Sequence, residues 1–216
     1  MTMEASEAIS SPMEQDKYSD IRIKMWIFLF TDILLFGGLF LVYGFYHSRF
    51  PEDFHFCTGN MSTLPGTIIT LLLLTSSITM MLSTKHLEKQ NRKYSILFLW
   101  ITLGLGFLSL VIRYYEWLAK IRIGLFPDSI VLQQHTPGEN AFYGIYYLTN
   151  GIHALHIIIG MIALFILWAK FIRKPKETTS EERENLYILK VENTGLFWQV
   201  IIIVWMFMFP IFYLIS

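Results

Sequence analysis

Polar and apolar positions divide the chain into five long apolar runs joined by polar stretches. The runs are Met25–Tyr46, Gly66–Ser83, Ser95–Leu118, Phe142–Lys170 and Gly195–Ile215. Each lies near the roughly 20 apolar residues that a helix needs to cross a bilayer. A lipid interior offers backbone amides no partner, so each run is expected to be helical. The pattern predicts an all-α membrane protein, a bundle of five transmembrane helices. Residues 1–21 read as a polar, acidic N-terminal tail and residues 22–216 as a single membrane domain. Residues 48–65, 119–141 and the basic stretch Arg173–Asn193 read as connections. In the last of these, Thr179 and Glu182 have capping-box spacing, which would start a short surface helix. Pro210 is expected to break or kink the final helix near its end.

The exceptions inside the apolar runs carry the chemistry. Phe142–Lys170 contains Asn150, His153 and His156. Their spacing puts them along one side of a helix, and such groups must meet protein or trapped water. Gly151, Ala154 and Gly160 nearby would let another helix approach closely, so this helix is expected to be central. Asp32 lies inside the first run. It reads either as a carboxyl hydrogen-bonded to a neighbouring helix or as a proton-exchanging group, a proton-relay candidate. Arg113 and Glu116 are three apart and can form an internal ion pair, with a lipid phosphate or a partner subunit as the alternative contact.

Charge adds orientation. Thirteen Lys and Arg residues lie ahead of the first run (Lys17, Arg22, Lys24), between the second and third (Lys85, Lys89, Arg92, Lys93) and from the end of the fourth run to the fifth (Lys170, Arg173, Lys174, Lys176, Arg183, Lys190), against three (Arg49, Lys120, Arg122) on the other side. The N-terminus is therefore expected to be cytoplasmic and the C-terminus outside. Formal net charge is zero, so nucleic-acid binding has no electrostatic footprint. Cys57 is the single cysteine, which excludes an internal disulfide and a thiolate cluster. No phosphate-binding loop or nucleophile elbow occurs, and no catalytic residue is assigned. His153-x-x-His156 is the one cluster that could hold a metal or haem. The expected reading is hydrogen-bonded core histidines with no metal, the alternative a small membrane cytochrome with haem on His153 or His156. A small transporter is a further class, opposed by the absence of inverted repeats.

Particular residues carry a family resemblance. FYGIYYLTNGIHALHIIIG resembles the H-x-x-H-x-x-x-G helix of subunit III of the haem–copper oxidases, with His153, His156 and Gly160 in register. WIFLFTDILLFGGLF resembles that family's first retained helix, and Asp32 stands where members often carry a glutamate. Glu116 in YEWLAKI, and Glu192, Trp198 and Trp205 around the last helix, match further elements. The last helix departs from the family's W-H-x-x-D-x-x-W: Gln199 and Ile202 replace its His and Asp. The resemblance spans roughly residues 22–215 and is to the short five-helix bacterial form. It implies a non-catalytic subunit without cofactor of its own, in a bacterial-type cytoplasmic membrane, with haem and copper in partner subunits. The implied partners are subunit I as main contact, subunit II, cytochrome c or a larger supercomplex, and bound phospholipid. Arg113, Glu116, Glu192 and Trp198 are the expected lipid or partner contacts, and Asp32 the residue supporting sustained proton uptake. Asp32, LLLLTSS in the second run and MFMFPIFYLI at the end also resemble two sister branches: subunit III of quinol oxidases and the accessory protein of nitric oxide reductases.

Overall fold

The computed structural model describes residues 12–172 and 181–215. The helices are α1 (Pro12–Arg49), α2 (Pro51–Gly59), α3 (Thr63–Glu88), α4 (Arg92–Arg122), α5 (Ile130–Gln133), α6 (Pro137–Ile172) and α7 (Glu181–Tyr213). Five of them, α1, α3, α4, α6 and α7, are long and apolar enough to cross a membrane. Among the described residues there is no strand. The five-span, all-α expectation is met.

The helices run past the apolar windows that predicted them. α1 already begins at Pro12, so residues 12–21 of the expected tail are helical. α7 begins at Glu181, so much of the expected fourth connection is also helix. Glu, Lys, Arg and Leu are good helix formers, and hydropathy marks only the part of a helix that lipid touches. Thr179 and the side chain of Glu182 lie outside the described residues. α7 continues through Pro210 to Tyr213 rather than breaking there.

The connections hold more structure than polarity suggests. Residues 48–65 contain α2, which starts with Pro51 and has Glu52 and Asp53 in its first turn, where the helix dipole favours acids. It buries Phe54 and Cys57, and Phe54 meets Phe142 of α6 edge to face at 5.3 Å. α4 ends in a left-handed turn at Gly124 (φ +81°), with Leu125 N–H bonding back to Lys120 O at 3.0 Å. α6 starts with a Thr136 cap: Glu139 N–H donates to Thr136 Oγ1, whose hydroxyl donates to Glu139 Oε1, both at 3.3 Å.

α3 lies along α4 and α7; α7 also packs on α6, and α1 covers α6 and α7. The expectation of α6 as the central helix needs amending. α7 is the most enclosed: half of its apolar window is buried, against 28% for α6. Trp198 of α7 is the reason. Its indole is fully buried against the backbones of Gly106 on α4 and Gly160 on α6. A Cβ at these glycines would come within 2.8 Å and 3.0 Å of the ring. α1 is the least enclosed, exposing Ile27, Phe30, Leu34, Leu41 and Phe45.

Candidate functional site

α6 carries its polar residues on the inside of the bundle. Asn150 and His153 are buried and His156 nearly so. Asn150 Nδ2 donates to Tyr146 O of its own helix at 2.9 Å. His153 Nε2 is 3.0 Å from Ile201 O on α7. A carbonyl only accepts, so this nitrogen carries the hydrogen. His153 also lies against Trp205, with ring centroids 5.4 Å apart.

His156 closes the site. Its Nδ1 is 2.8 Å from Ile152 O, which requires a hydrogen on Nδ1. Its Nε2 is 3.3 Å from Asp32 Oδ1 on α1, 124 residues away in the chain. With Nδ1 committed to a carbonyl, the contact needs one proton between imidazole and carboxyl. It is a neutral acid facing a neutral imidazole, or a carboxylate facing an imidazolium. Phe36, one turn beyond Asp32 on α1, seals it, its ring 5.4 Å from His156 and 6.4 Å from His153. Asp32 Oδ2 is enclosed and has no partner among the described residues.

At the opposite end of α6 lies a second polar cluster. Arg113 Nη1 donates to Glu116 Oε2 at 2.6 Å and to the Tyr213 hydroxyl at 2.7 Å. Glu116 Oε1 accepts from Tyr213 at 2.6 Å, Tyr146 at 2.8 Å and Lys120 at 3.1 Å. Arg113 also stacks over Trp205, 4.5 Å from the ring centroid. The predicted Arg113–Glu116 pair is thus formed, and it joins α4, α6 and α7. These two residues, expected as lipid or partner contacts, have internal partners within the bundle. Trp198, expected likewise, is enclosed, with Nε1 donating to Ser76 Oγ on α3 at 3.2 Å. Glu192 is partly exposed at the other end of α7. Gln199, where the resemblance predicts His, ties α7 to α3: it accepts from Ser77 Oγ and returns Nε2 to Ser77 O at 3.2 Å.

These contacts also bear on the haem alternative. His153 is committed to Ile201 O, and His156 to Ile152 O and Asp32, so both rings already have protein partners. Among the described residues no group of three or more His, Cys, Asp or Glu side chains could hold a metal ion.

Residues 6–216 match the family profile described as cytochrome c oxidase subunit III. The chain belongs to that family. It is 28% identical to a heme-copper oxidase subunit I+III of Aeropyrum pernix, over 94% of this chain but 23% of that protein. It is 27% identical to a cytochrome bo(3) ubiquinol oxidase subunit 3 of Buchnera aphidicola, over 88% of this chain and 91% of the relative. With a cytochrome c oxidase subunit 3 of Alkalihalophilus pseudofirmus it shares 30% identity over 69% of this chain and 65% of the relative. The five apolar spans and this family membership make it a multi-pass membrane protein.

Sequence reasoning found Asp32, His153 and His156 separately and missed that Asp32 meets His156. It also missed Tyr146, Tyr213 and Lys120 as partners of Glu116. The i, i+4 spacing of Glu116 and Lys120 is a signal that could have found the last of these.

Proposed function

We propose that this chain is the non-catalytic third subunit of a haem–copper terminal oxidase in a bacterial cytoplasmic membrane. It packs against subunit I, with subunit II and the electron donor beyond. In this reading the Asp32–His156 pair supports the complex's proton uptake. The observation that carries the proton role is the contact itself: a carboxyl and an imidazole at 3.3 Å, both within the bundle, with the second imidazole nitrogen already committed. An intramembrane carboxyl is costly, and one paired inside the bundle is more often functional than idle. A relative in which subunits I and III are fused supports subunit I as the main contact. Relatives named for cytochrome c oxidases and for a quinol oxidase leave both electron donors open. The exposed face of α1 in front of Asp32 suits a neighbouring apolar subunit or lipid.

The test is oxygen uptake by the purified complex over many turnovers, from neutral to alkaline pH. Removing this chain leaves the haem spectrum and the initial rate nearly unchanged but shortens the active lifetime, most at high pH where protons are scarce. Asp32→Asn reproduces part of that loss, because Asn keeps the shape but holds no exchangeable acid proton. Asp32→Glu restores lifetime. Full lifetime of Asp32→Asn at high pH would make Asp32 a structural hydrogen-bonding residue only.

A further inference from the structure

The cluster at the C-terminal end of α4 carries an unmatched charge. Arg113 and Lys120 both pair with Glu116, and among the described residues no other carboxylate pairs with either. Their side chains are only 7% and 12% exposed, and that of Glu116 is 3% exposed. Two cations against one carboxylate leave one positive charge in a largely enclosed site. The fold stabilises that charge without neutralising it. Arg113 lies over the Trp205 ring at 4.5 Å and Lys120 over the Tyr146 ring at 5.3 Å. The negative face of an aromatic ring attracts a cation and leaves its charge in place. Arg113 has a further neutral partner in the Tyr213 oxygen.

A polar seam runs from this cluster to the Asp32–His156 pair. It follows Tyr146, Asn150, His153 and His156 along α6, a rise of about 15 Å, or roughly half the hydrocarbon thickness of a bilayer. Tyr146 donates to Glu116 at one end, and His156 meets Asp32 at the other. Between them His153 is within electrostatic reach of both Arg113 and His156. Asn150 Oδ1, one turn earlier, is enclosed and has no donor among the described residues, so it is a ready acceptor on the same line. A line of groups that accept and donate protons through an apolar bundle is a leak hazard, because the membrane potential acts on every charge that moves along it.

We infer that the surplus positive charge of Arg113 and Lys120 is an electrostatic barrier, which stops protons on the far side of the membrane from reaching Asp32–His156 through the bundle. The inference rests on the proton-uptake reading of that pair. An enclosed cation raises the energy of any proton nearby, the means by which some polar pores exclude protons. A unit charge roughly 10 Å from a migrating proton, at an effective dielectric of about 20, slows its passage about tenfold. No acidic residue occurs in α6 between Tyr146 and His156 to offset the barrier. The barrier stands at one end only. Lys24, Lys85 and Lys89, at the Asp32 end, are exposed, and solvent screens them. In electrostatic terms the pair is approachable from its own end and closed from the other.

The test is passive proton leak without turnover. Phosphatidylcholine vesicles hold the protein in whatever complex it leaves the membrane in mild detergent. A potassium gradient with valinomycin drives protons, and a trapped pH-sensitive dye reports their entry. Wild type is tight. Lys120→Gln, which removes the surplus charge and keeps a polar side chain, raises the leak about tenfold. Lys120→Arg, which keeps the charge, stays tight. In Lys120→Gln combined with Asp32→Asn the leak falls back, since the seam then ends in a group that holds no acid proton. A Lys120→Gln complex as tight as wild type overturns the barrier. A leak in Lys120→Arg, or one that persists in the double variant, assigns the leak to loosened packing and overturns the inference as well. The proton-uptake reading fails on a different readout, full lifetime of Asp32→Asn during turnover at high pH, so the two failures are distinguishable.

Discussion

Among the described residues Glu116 has the most crowded hydrogen bonding: one carboxylate takes Arg113, Lys120, Tyr146 and Tyr213. Replacing it by Gln leaves Arg113 enclosed without a counter-charge. The expected loss is about 3–5 kcal/mol, the usual result of breaking a buried pair from one side. Unfolding of the purified protein in denaturant measures it, and a loss under about 1 kcal/mol would show that the cluster is wet, like an exposed pair. Cys57 makes a second prediction. Burial in α2 pushes its thiol up to about 12 from an ordinary value of 9.0, with Glu139 and Asp53 adding to the effect. The neutral thiol therefore persists well past pH 9, and the thiolate population near pH 8 is lower by roughly a thousandfold than that of a free thiol. Maleimide labelling of native protein should be slow at pH 8 and keep rising above pH 9, whereas a free thiol levels off there. An early plateau would mean that Cys57 is open to water. At this scale the sequence exposed which side chains were unusual, because lipid-depth polar groups stand out against apolar neighbours. It did not pair Asp32 with His156, because that contact depends on how α1 docks on α6.

Among the elements, α7 locks the bundle through one side chain. Trp198 fills the space left by the missing side chains of Gly106 and Gly160. Gly160→Ala drives a methyl into an enclosed indole that cannot retreat, at an overpacking penalty of about 1–3 kcal/mol. Gly144, on the same helix, has nothing within 4 Å of a built Cβ, so Gly144→Ala is expected to be neutral or slightly stabilising. Thermal stability of the two variants side by side checks the contrast; equal effects would mean that helix propensity and not Trp198 governs both sites. The glycines were visible in the sequence as points of close approach, but the indole that approaches them was not. α2 and the Thr136–Glu139 cap escaped a reading keyed to hydropathy. Their signals are local: Pro51 ahead of Glu52 and Asp53, and Pro137 after Thr136.

For the whole molecule, the thirteen-to-three split of Lys and Arg carries a topology that the bundle itself does not show. The proposal is that the N-terminus and the α3–α4 turn face the cytoplasm. Enclosed Cys57 is no reporter for it. In a Cys57→Ser background, cysteine placed at exposed Asn60 should label in intact cells with an impermeant maleimide, and cysteine at exposed Gln90 only after lysis. The reverse pattern would invert the topology. Extraction in mild detergent should bring down haem proteins with this chain, and purification free of haem would sink the oxidase assignment.

Run length and apolarity alone determined five membrane-spanning helices, because only a continuous helix of about 20 apolar residues satisfies its backbone in lipid. The same reasoning singled out Asp32, Asn150, Arg113, Glu116, His153 and His156, since polar groups at that depth must have partners. Tertiary structure decided who those partners are. In a soluble helix an apolar stripe marks the buried face, but here lipid-facing and protein-facing positions are equally apolar, so hydropathy cannot tell them apart. Helix order, the enclosure of α7 around Trp198, the Asp32–His156 contact and the unmatched charge at Lys120 therefore emerged only when the helices were packed.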